Sequence, residues 1–152
     1  MATCSDGLTL HLERVLSAPR PVVFQAHVEP DLLAQWWGPE GFSAPRIELD
    51  LHVGGRYRIA MQPPEGNLFH LSGEFLAVDA PDRLVYTFRW EEPDPDDRET
   101  VVTLSLDDWG ASTQICVDQG MFATEARLAL HEQGWTETLD RLRELLSSST
   151  TR

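Results

Sequence analysis

The sequence predicts an α+β domain in which a seven-stranded antiparallel sheet is covered by one long C-terminal helix. Apolar residues recur at helical spacing over 124–146, whereas between 44 and 118 they alternate with polar residues in runs separated by turn residues. The order is one strand, two short helices, six strands and the long helix. Consecutive hairpins favour an antiparallel sheet with one apolar face that needs cover.

The long helix carries the pattern that organises the chain. At 100° per residue one stripe collects most of the large apolar side chains, namely Leu128, His131, Trp135, Thr138, Leu139, Leu142, Leu145 and Leu146. Thr124 is the expected N-cap. Gly134, next to Trp135, predicts a close approach of the helix backbone to a flat surface, most simply the sheet.

The first half of the chain predicts one strand and two helices. Residues 8–16 alternate apolar and polar side chains and predict a strand. Pro19 and Pro21 suit the first turn of a helix over 19–27. A second helix is expected over 31–37, ended by Gly38 and Pro39.

Six strands are expected after residue 44. The first ends with the alternation 47–53, and Gly54-Gly55 predicts a two-residue hairpin turn into 57–61. The remaining strands are predicted over 68–78, 84–90, 100–106 and 112–118. The acidic loop 91–98 is expected to remain in solvent because it is too polar to pack.

Length and composition indicate one soluble domain. The 152 residues are most simply a single domain over 1–152, with flexible tails at 1–7 and 147–152. The sequence has neither an 18-residue apolar run nor a basic-then-apolar leader, so we expect a cytoplasmic protein without a membrane span. Its net charge of −13, from 12 basic and 25 acidic residues, argues against nucleic acid and anionic membrane partners.

The sequence predicts neither a metal site nor a cofactor. Cys4 and Cys116 make no disulfide framework, and the five histidines are dispersed without metal-ligand spacing. There is no phosphate-binding glycine loop, nucleophile elbow or dinucleotide motif. The pairs Asp50–His52 and His70–Glu74 are neighbours on a strand by geometry alone, so no catalytic residue is assigned.

Several motifs in this order resemble a known family. They are Trp36-Trp37-Gly38-Pro39, the run 49–58, Gly73-Glu74-Phe75, the run 81–87 and the run 134–139. Over residues 8–146 the chain resembles the bacterial AHSA1-like branch of the START/Bet v 1-like (SRPBCC) superfamily, named for the activator of Hsp90 ATPase. The resemblance implies a helix-grip fold, with a cavity between the curved sheet and the C-terminal helix. Asp118-Gln119 stands where relatives often have His, so no histidine chemistry is carried over to that strand end.

Nine residues are the candidates for lining such a cavity. They are Trp36, Trp37, Tyr57, Met61, Tyr86, Phe88, His131, Trp135 and Thr138. Strand parity turns the four sheet residues inward, and Trp36 or Trp37 is the candidate gate. The alternative for the aromatic residues is core packing, and for His131 it is a buried neutral ring bonded to a carbonyl or a tyrosine.

The leading functional hypothesis is a binding module for a small hydrophobic or aromatic molecule, oriented by His131, Thr138 and Tyr86. A second is a cyclase, dehydratase or lyase that transfers protons inside the cavity. A third, from the resemblance alone, is an Hsp90-linked stress-response interaction module. Edge strands and short helices offer surfaces for a homodimer.

Overall fold

The computed structural model describes residues 8–95 and 97–150, in which seven strands and three helices form. The strands are β1 (Leu10–Leu16), β2 (Ser43–Leu49), β3 (Arg56–Gln62), β4 (Phe69–Asp79), β5 (Arg83–Trp90), β6 (Thr100–Trp109) and β7 (Ser112–Gly120). The helices are α1 (Arg20–Val28), α2 (Pro30–Leu33) and α3 (Glu125–Thr150). Of the predicted tails 1–7 and 147–152, residues 1–7 (with Cys4) and 151–152 lie outside the described residues, whereas 147–150 are helical.

All seven strands belong to one antiparallel sheet with the order β1-β7-β6-β5-β4-β3-β2. From β2 to β7 each strand pairs with its neighbour along the chain. β1 joins the far side of β7, with Leu10 opposite Gln119 and Leu16 opposite Thr113. The sheet and the long C-terminal helix confirm the predicted α+β helix-grip fold.

Helix α3 buries its apolar stripe against the sheet. Trp135, Leu139, Leu142 and Leu146 are all buried. Thr124 caps the helix as predicted, because its Oγ1 accepts a hydrogen bond from the backbone N–H of Arg127 at 3.1 Å. The helix continues to Thr150, beyond the predicted end at residue 146. None of the helices within 8–95 and 97–150 combines the length and apolarity needed to cross a membrane.

The second short helix differs from the prediction. α2 ends at Leu33, and the chain continues as a turn over residues 34–36 that leads to Trp37. The backbone N–H of Trp36 reaches only three residues back, to the carbonyl of Leu33 at 3.2 Å. This tightening, which is common at helix ends, interrupts the predicted helix 31–37.

The predicted two-residue hairpin at Gly54-Gly55 is wrong. β2 already ends at Leu49, and Val53, predicted to lie in the strand, is 64% exposed. The N–H of Gly54 donates to the carbonyl of Phe75 at 2.9 Å. The glycine pair therefore hydrogen-bonds to β4 and does not close a two-residue turn. A Cβ on Gly55 would lie 2.0 Å from the carbonyl oxygen of Asp50, so close backbone approach requires glycine there.

Candidate functional site

A cavity of about 490 Å³ lies between α3 and the sheet. The helix lines it with Arg127, Leu130, His131, Gly134, Trp135 and Thr138. The strands contribute Met61, Phe69, Phe88 and Trp90, and the segment after α2 contributes Trp37, Gly38 and Pro39. Three carboxylates, of Glu92, Asp94 and Asp97, stand among the lining residues. Most of the lining side chains are thus apolar, and the acidic ones come from the loop after β5.

Six of the nine candidate residues line this cavity. They are Trp37, Met61, Phe88, His131, Trp135 and Thr138. Parity on β3 and β5 turns Met61 and Phe88 towards the helix, and helical spacing places His131, Trp135 and Thr138 on one face of α3. The Thr138 hydroxyl donates to the carbonyl of Gly134 at 2.7 Å, so its oxygen is left to act as an acceptor.

Trp36 does not line the cavity. It is fully buried, and its indole Nε1 donates to the backbone carbonyl of Ala26 at 3.1 Å. Its ring packs edge-on against His27, with 4.7 Å between centroids. The Trp37 ring packs edge-on between two others, 5.9 Å from the Trp36 ring and 5.6 Å from the Trp135 ring, and it lines the cavity that Trp36 does not reach. The pair is therefore divided between core and cavity.

Tyr57 and Tyr86 do not line this cavity. Together with Trp37 they line a second, much smaller cavity of about 30 Å³. The Tyr57 hydroxyl donates to the carbonyl of Thr87 at 2.6 Å. Burial raises the pKa of both tyrosines well above its ordinary value, so both phenols are neutral.

His131 is the titratable side chain on the helix wall of the large cavity. Its ring is surrounded by Phe122, Phe88 and Trp90, at centroid distances of 4.8, 5.4 and 6.0 Å. Burial, followed by the positive charge of Arg127, lowers its pKa to about 4. No residue described by the structure hydrogen-bonds this imidazole, so it differs from the buried, bonded histidine that was the alternative. At neutral pH it offers one donor and one acceptor.

Gln119, on β7, holds Trp135 in place. The Trp135 Nε1 donates to the Gln119 side-chain oxygen at 2.7 Å, and the Gln119 amide nitrogen donates to Thr100 Oγ1 at 2.8 Å. Gln119 is completely buried. Sequence reasoning noted this position only as a departure from relatives. The sequence did hold a signal for this bond. It has a glutamine at an inward position near the end of a strand, and a tryptophan on the inward face of the predicted helix.

Arg141 and Glu137 fasten the Trp37 segment to α3. One Nη of Arg141 lies 2.9 to 3.2 Å from the carbonyl oxygens of four residues, Trp37, Gly38, Pro39 and Phe42. A Glu137 carboxylate oxygen accepts from the N–H of Glu40 at 3.1 Å. The helical wheel placed both side chains on the polar face and missed this role. Nothing in the sequence indicates that a loop would dock there.

The acidic loop after β5 packs more than was expected. Arg127 on α3 pairs with Asp94 at 2.7 Å and with Asp97 at 3.3 Å. The Asp97 side chain is only 8% exposed. A guanidinium on the helix thus holds part of a loop that composition alone placed in solvent, and the loop borders the cavity.

Three side chains, of which Glu92 also lines the cavity, are close enough to contact one metal ion. Ligand atoms of His70, Glu91 and Glu92 lie within 4.8 Å of one another. Glu91 is already engaged by Arg58 through two hydrogen bonds of 2.9 Å, which lower the pKa of its carboxyl group. His70 lies 3.4 Å from Glu92, whereas the sequence had paired it with Glu74. His52 and Asp50 do meet, at 3.0 Å, but both side chains are exposed and neither lines the cavity.

Comparison with known proteins identifies relatives of the whole domain. Residues 17–147 match the family described as activator of Hsp90 ATPase homolog 1-like protein. Protein NE0264 from Nitrosomonas europaea is 32% identical, with 95% of this chain and 97% of that chain covered and a TM-score of 0.80. Protein CV1439 from Chromobacterium violaceum is 27% identical, with coverages of 91% and 96% and a TM-score of 0.81. The AHSA1 protein from Silicibacter pomeroyi is 29% identical, with coverages of 93% and 99% and a TM-score of 0.79. No functionally curated protein matches.

Proposed function

This chain belongs to the activator of Hsp90 ATPase homolog 1-like protein family, and we propose that it acts within that family as a binding protein for a small hydrophobic or aromatic molecule. The ligand occupies the 490 Å³ cavity between α3 and the sheet. The proposal places the protein in the cytoplasm, as the sequence predicts. One observation carries it: aromatic rings surround a neutral imidazole, that of His131, to which no described residue hydrogen-bonds.

The walls favour a flat, mostly apolar ligand. Trp37 and Trp135 offer faces and edges of large rings, and Phe88 and Met61 lie on the sheet side. A ligand that buries about 200 Å² of apolar surface gains roughly 5 kcal/mol at 25 cal/mol per Å², before the entropy cost of binding. His131 adds one directional hydrogen bond. Small sites of this composition are typical of ligand-binding proteins.

A cavity-filling variant provides the test. A Cβ on Gly134 would meet only Pro39, at 3.8 Å, so Gly134→Leu fits the helix and projects into the cavity. We expect this variant to bind the uncharged probe N-phenyl-1-naphthylamine at least tenfold more weakly than the unchanged protein. It should retain or gain stability, because Leu favours a helix by roughly 1 kcal/mol over Gly.

The matched control is Gln133→Leu, which adds the same side chain at the exposed neighbouring position. Its affinity for the probe should equal that of the unchanged protein. Failure of the unchanged protein to bind the probe, or equal affinities in all three proteins, would contradict the proposal. The readout is probe fluorescence, checked by native mass spectrometry.

A second candidate function, an enzyme that moves a proton in the cavity, is favoured by His131 alone. Its neutral imidazole faces the cavity and can accept a proton from a bound molecule. Once a turned-over substrate is identified, His131→Phe tests the role of this imidazole. Turnover that survives the substitution would rule out His131 as the proton acceptor, while lost turnover with unchanged probe binding would support it.

A further inference from the structure

A second cavity, of about 30 Å³, has Trp37 in its wall, as the larger cavity does. Its walls are mostly apolar and include Leu33, Ile59 and Phe75. Two of its lining residues nevertheless carry buried polar atoms, His27 Nε2 and Trp37 Nε1, that have no partner among the residues described. Such orphaned groups are uncommon in folded proteins and call for an explanation.

The protonation of the two groups makes them complementary. His27 Nδ1 lies 2.9 Å from the carbonyl oxygen of Val23, which can only accept, so Nδ1 carries the hydrogen. Burial keeps this ring neutral and lowers its pKa to about 4. Nε2 is therefore an acceptor, whereas the Trp37 indole is a donor only. Tyr86 lines the same cavity, and its hydroxyl has no hydrogen bond to any described residue.

We propose that this second, inner cavity is a binding site for one neutral O–H group, which donates to His27 Nε2 and accepts from Trp37 Nε1. The volume suffices for about one water-sized group. A buried water molecule needs at least two polar partners, and His27 Nε2 and Trp37 Nε1 are two such atoms. The described lining residues provide no counter-charge, so an ion is not stabilised there. Each of the two bonds removes the free-energy cost of leaving a buried polar atom without a partner.

The O–H group has two sources. A water molecule fills the site in the free protein. A hydroxyl on a ligand replaces it if that ligand reaches past Trp37, which lines both cavities. The site does not depend on a ligand in the 490 Å³ outer cavity. The two polar atoms, His27 Nε2 and Trp37 Nε1, lack partners among the described residues of the protein itself. Its failure and the failure of the proposed function are therefore separate results.

Nuclear magnetic resonance of the full chain tests the site. We expect the Trp37 indole N–H to show a cross-peak to a long-lived water molecule, and His27 to show the nitrogen shifts of the neutral Nδ1–H form. Phenol and fluorobenzene are then added as a matched pair, of similar size but with and without a hydroxyl. Loss of the water cross-peak with phenol alone identifies a ligand hydroxyl as the second source, and persistence with both identifies water as the occupant.

Three results would overturn the site. They are no long-lived water at Trp37 in the free protein, loss of that water with fluorobenzene as readily as with phenol, or retention of the cross-peak in a folded His27→Phe variant. We expect His27→Phe to abolish the cross-peak, because the acceptor is gone. His131→Phe is the control, since it alters the outer cavity and should leave the inner water in place. If His27→Phe does not fold, the measurements on the unchanged protein decide the matter.

Discussion

The indole Nε1 of Trp135 donates a hydrogen bond to the side-chain oxygen of Gln119 at 2.7 Å, and both residues are buried. Trp135 is on α3 and Gln119 is on β7, so this bond fixes the orientation of a cavity wall from the opposite layer of the fold. The second bond, from Gln119 to Thr100, fixes the amide in turn. A rigid aromatic wall is a precondition for a cavity of defined shape.

We expect Gln119→Leu to lower the free energy of unfolding by about 1–3 kcal/mol, because it leaves the Trp135 N–H buried without a partner. Urea denaturation followed by tryptophan fluorescence measures the change. Gln114→Leu, on the same strand, is the control, since its amide contacts only exposed Glu13 at 3.4 Å. Equal losses in the two variants would show that the Trp135 bond is not the cause.

Arg141→Ala should release the Trp37 segment from the helix. The substitution removes a guanidinium that satisfies several backbone carbonyls at once, and we expect a loss of about 1–3 kcal/mol in stability. Hydrogen exchange should accelerate within residues 37–42. Arg143→Ala removes an exposed arginine that contacts Asp140 at 3.2 Å and should leave the exchange unchanged. Protection of 37–42 that survives Arg141→Ala would refute the fastening role.

Stability should fall as the pH drops from about 6.5 towards 4. The pKa of His131 is lowered from 6.5 to about 4, so in this window the unfolded state binds a proton that the folded state does not. His27 acts in the same direction. Removing one such group with His131→Phe should flatten the dependence by up to about 1.4 kcal/mol per pH unit. Denaturation curves at pH 5, 6 and 7 measure it.

His11 provides a control of opposite sign. Hydrogen bonds to Glu13 and Asp118 raise its pKa above 6.5, so its stabilisation is fully present below pH 6.5 and disappears as the pH rises through the raised value. His11→Gln should therefore lose stability at pH 5 and lose none at pH 9. A gain at pH 5 in this variant, or a steeper pH dependence in His131→Phe, would contradict these assignments.

Ligand charge should alter affinity, because the lining of the cavity includes three carboxylates and one guanidinium. Among probes with the same ring system, 1-naphthylmethylamine should bind more tightly than 1-naphthalenemethanol, and 1-naphthoate more weakly. The difference should shrink as salt is raised from about 0.01 to 0.15 M, since exposed charges are screened. Calorimetry gives the three affinities; an anionic probe that binds best would refute this prediction.

The sequence predicted those features that depend on local periodicity. Alternation turned Met61 and Phe88 inward, and helical spacing put His131 and Trp135 on one face of α3. It missed contacts between distant segments, since nothing near Arg141 reveals that the carbonyl oxygens of residues 37–42 would face it. The prediction for Gly54-Gly55 was wrong for the same reason. The backbone of this pair hydrogen-bonds to β4, and no short-range pattern indicates that contact.

The prediction for Gly134 shows a further limit. The sequence placed it against the sheet, whereas a Cβ there would meet Pro39 on the segment after α2. A small residue reveals that something lies close, but not which part of the chain. The division of Trp36 and Trp37 between core and cavity likewise follows from where the turn after α2 ends, which neighbouring residues alone do not determine.

The attachment of residues 37–42 to α3 brings together two parts of the chain that are about 100 positions apart. During synthesis the cavity between the sheet and α3 therefore closes only after the last helix has been made. Until then the apolar face of the sheet is uncovered, and the growing chain offers chaperones a target that the finished domain conceals. Closure of the cavity is thus acquired late in synthesis, with the last helix of the fold.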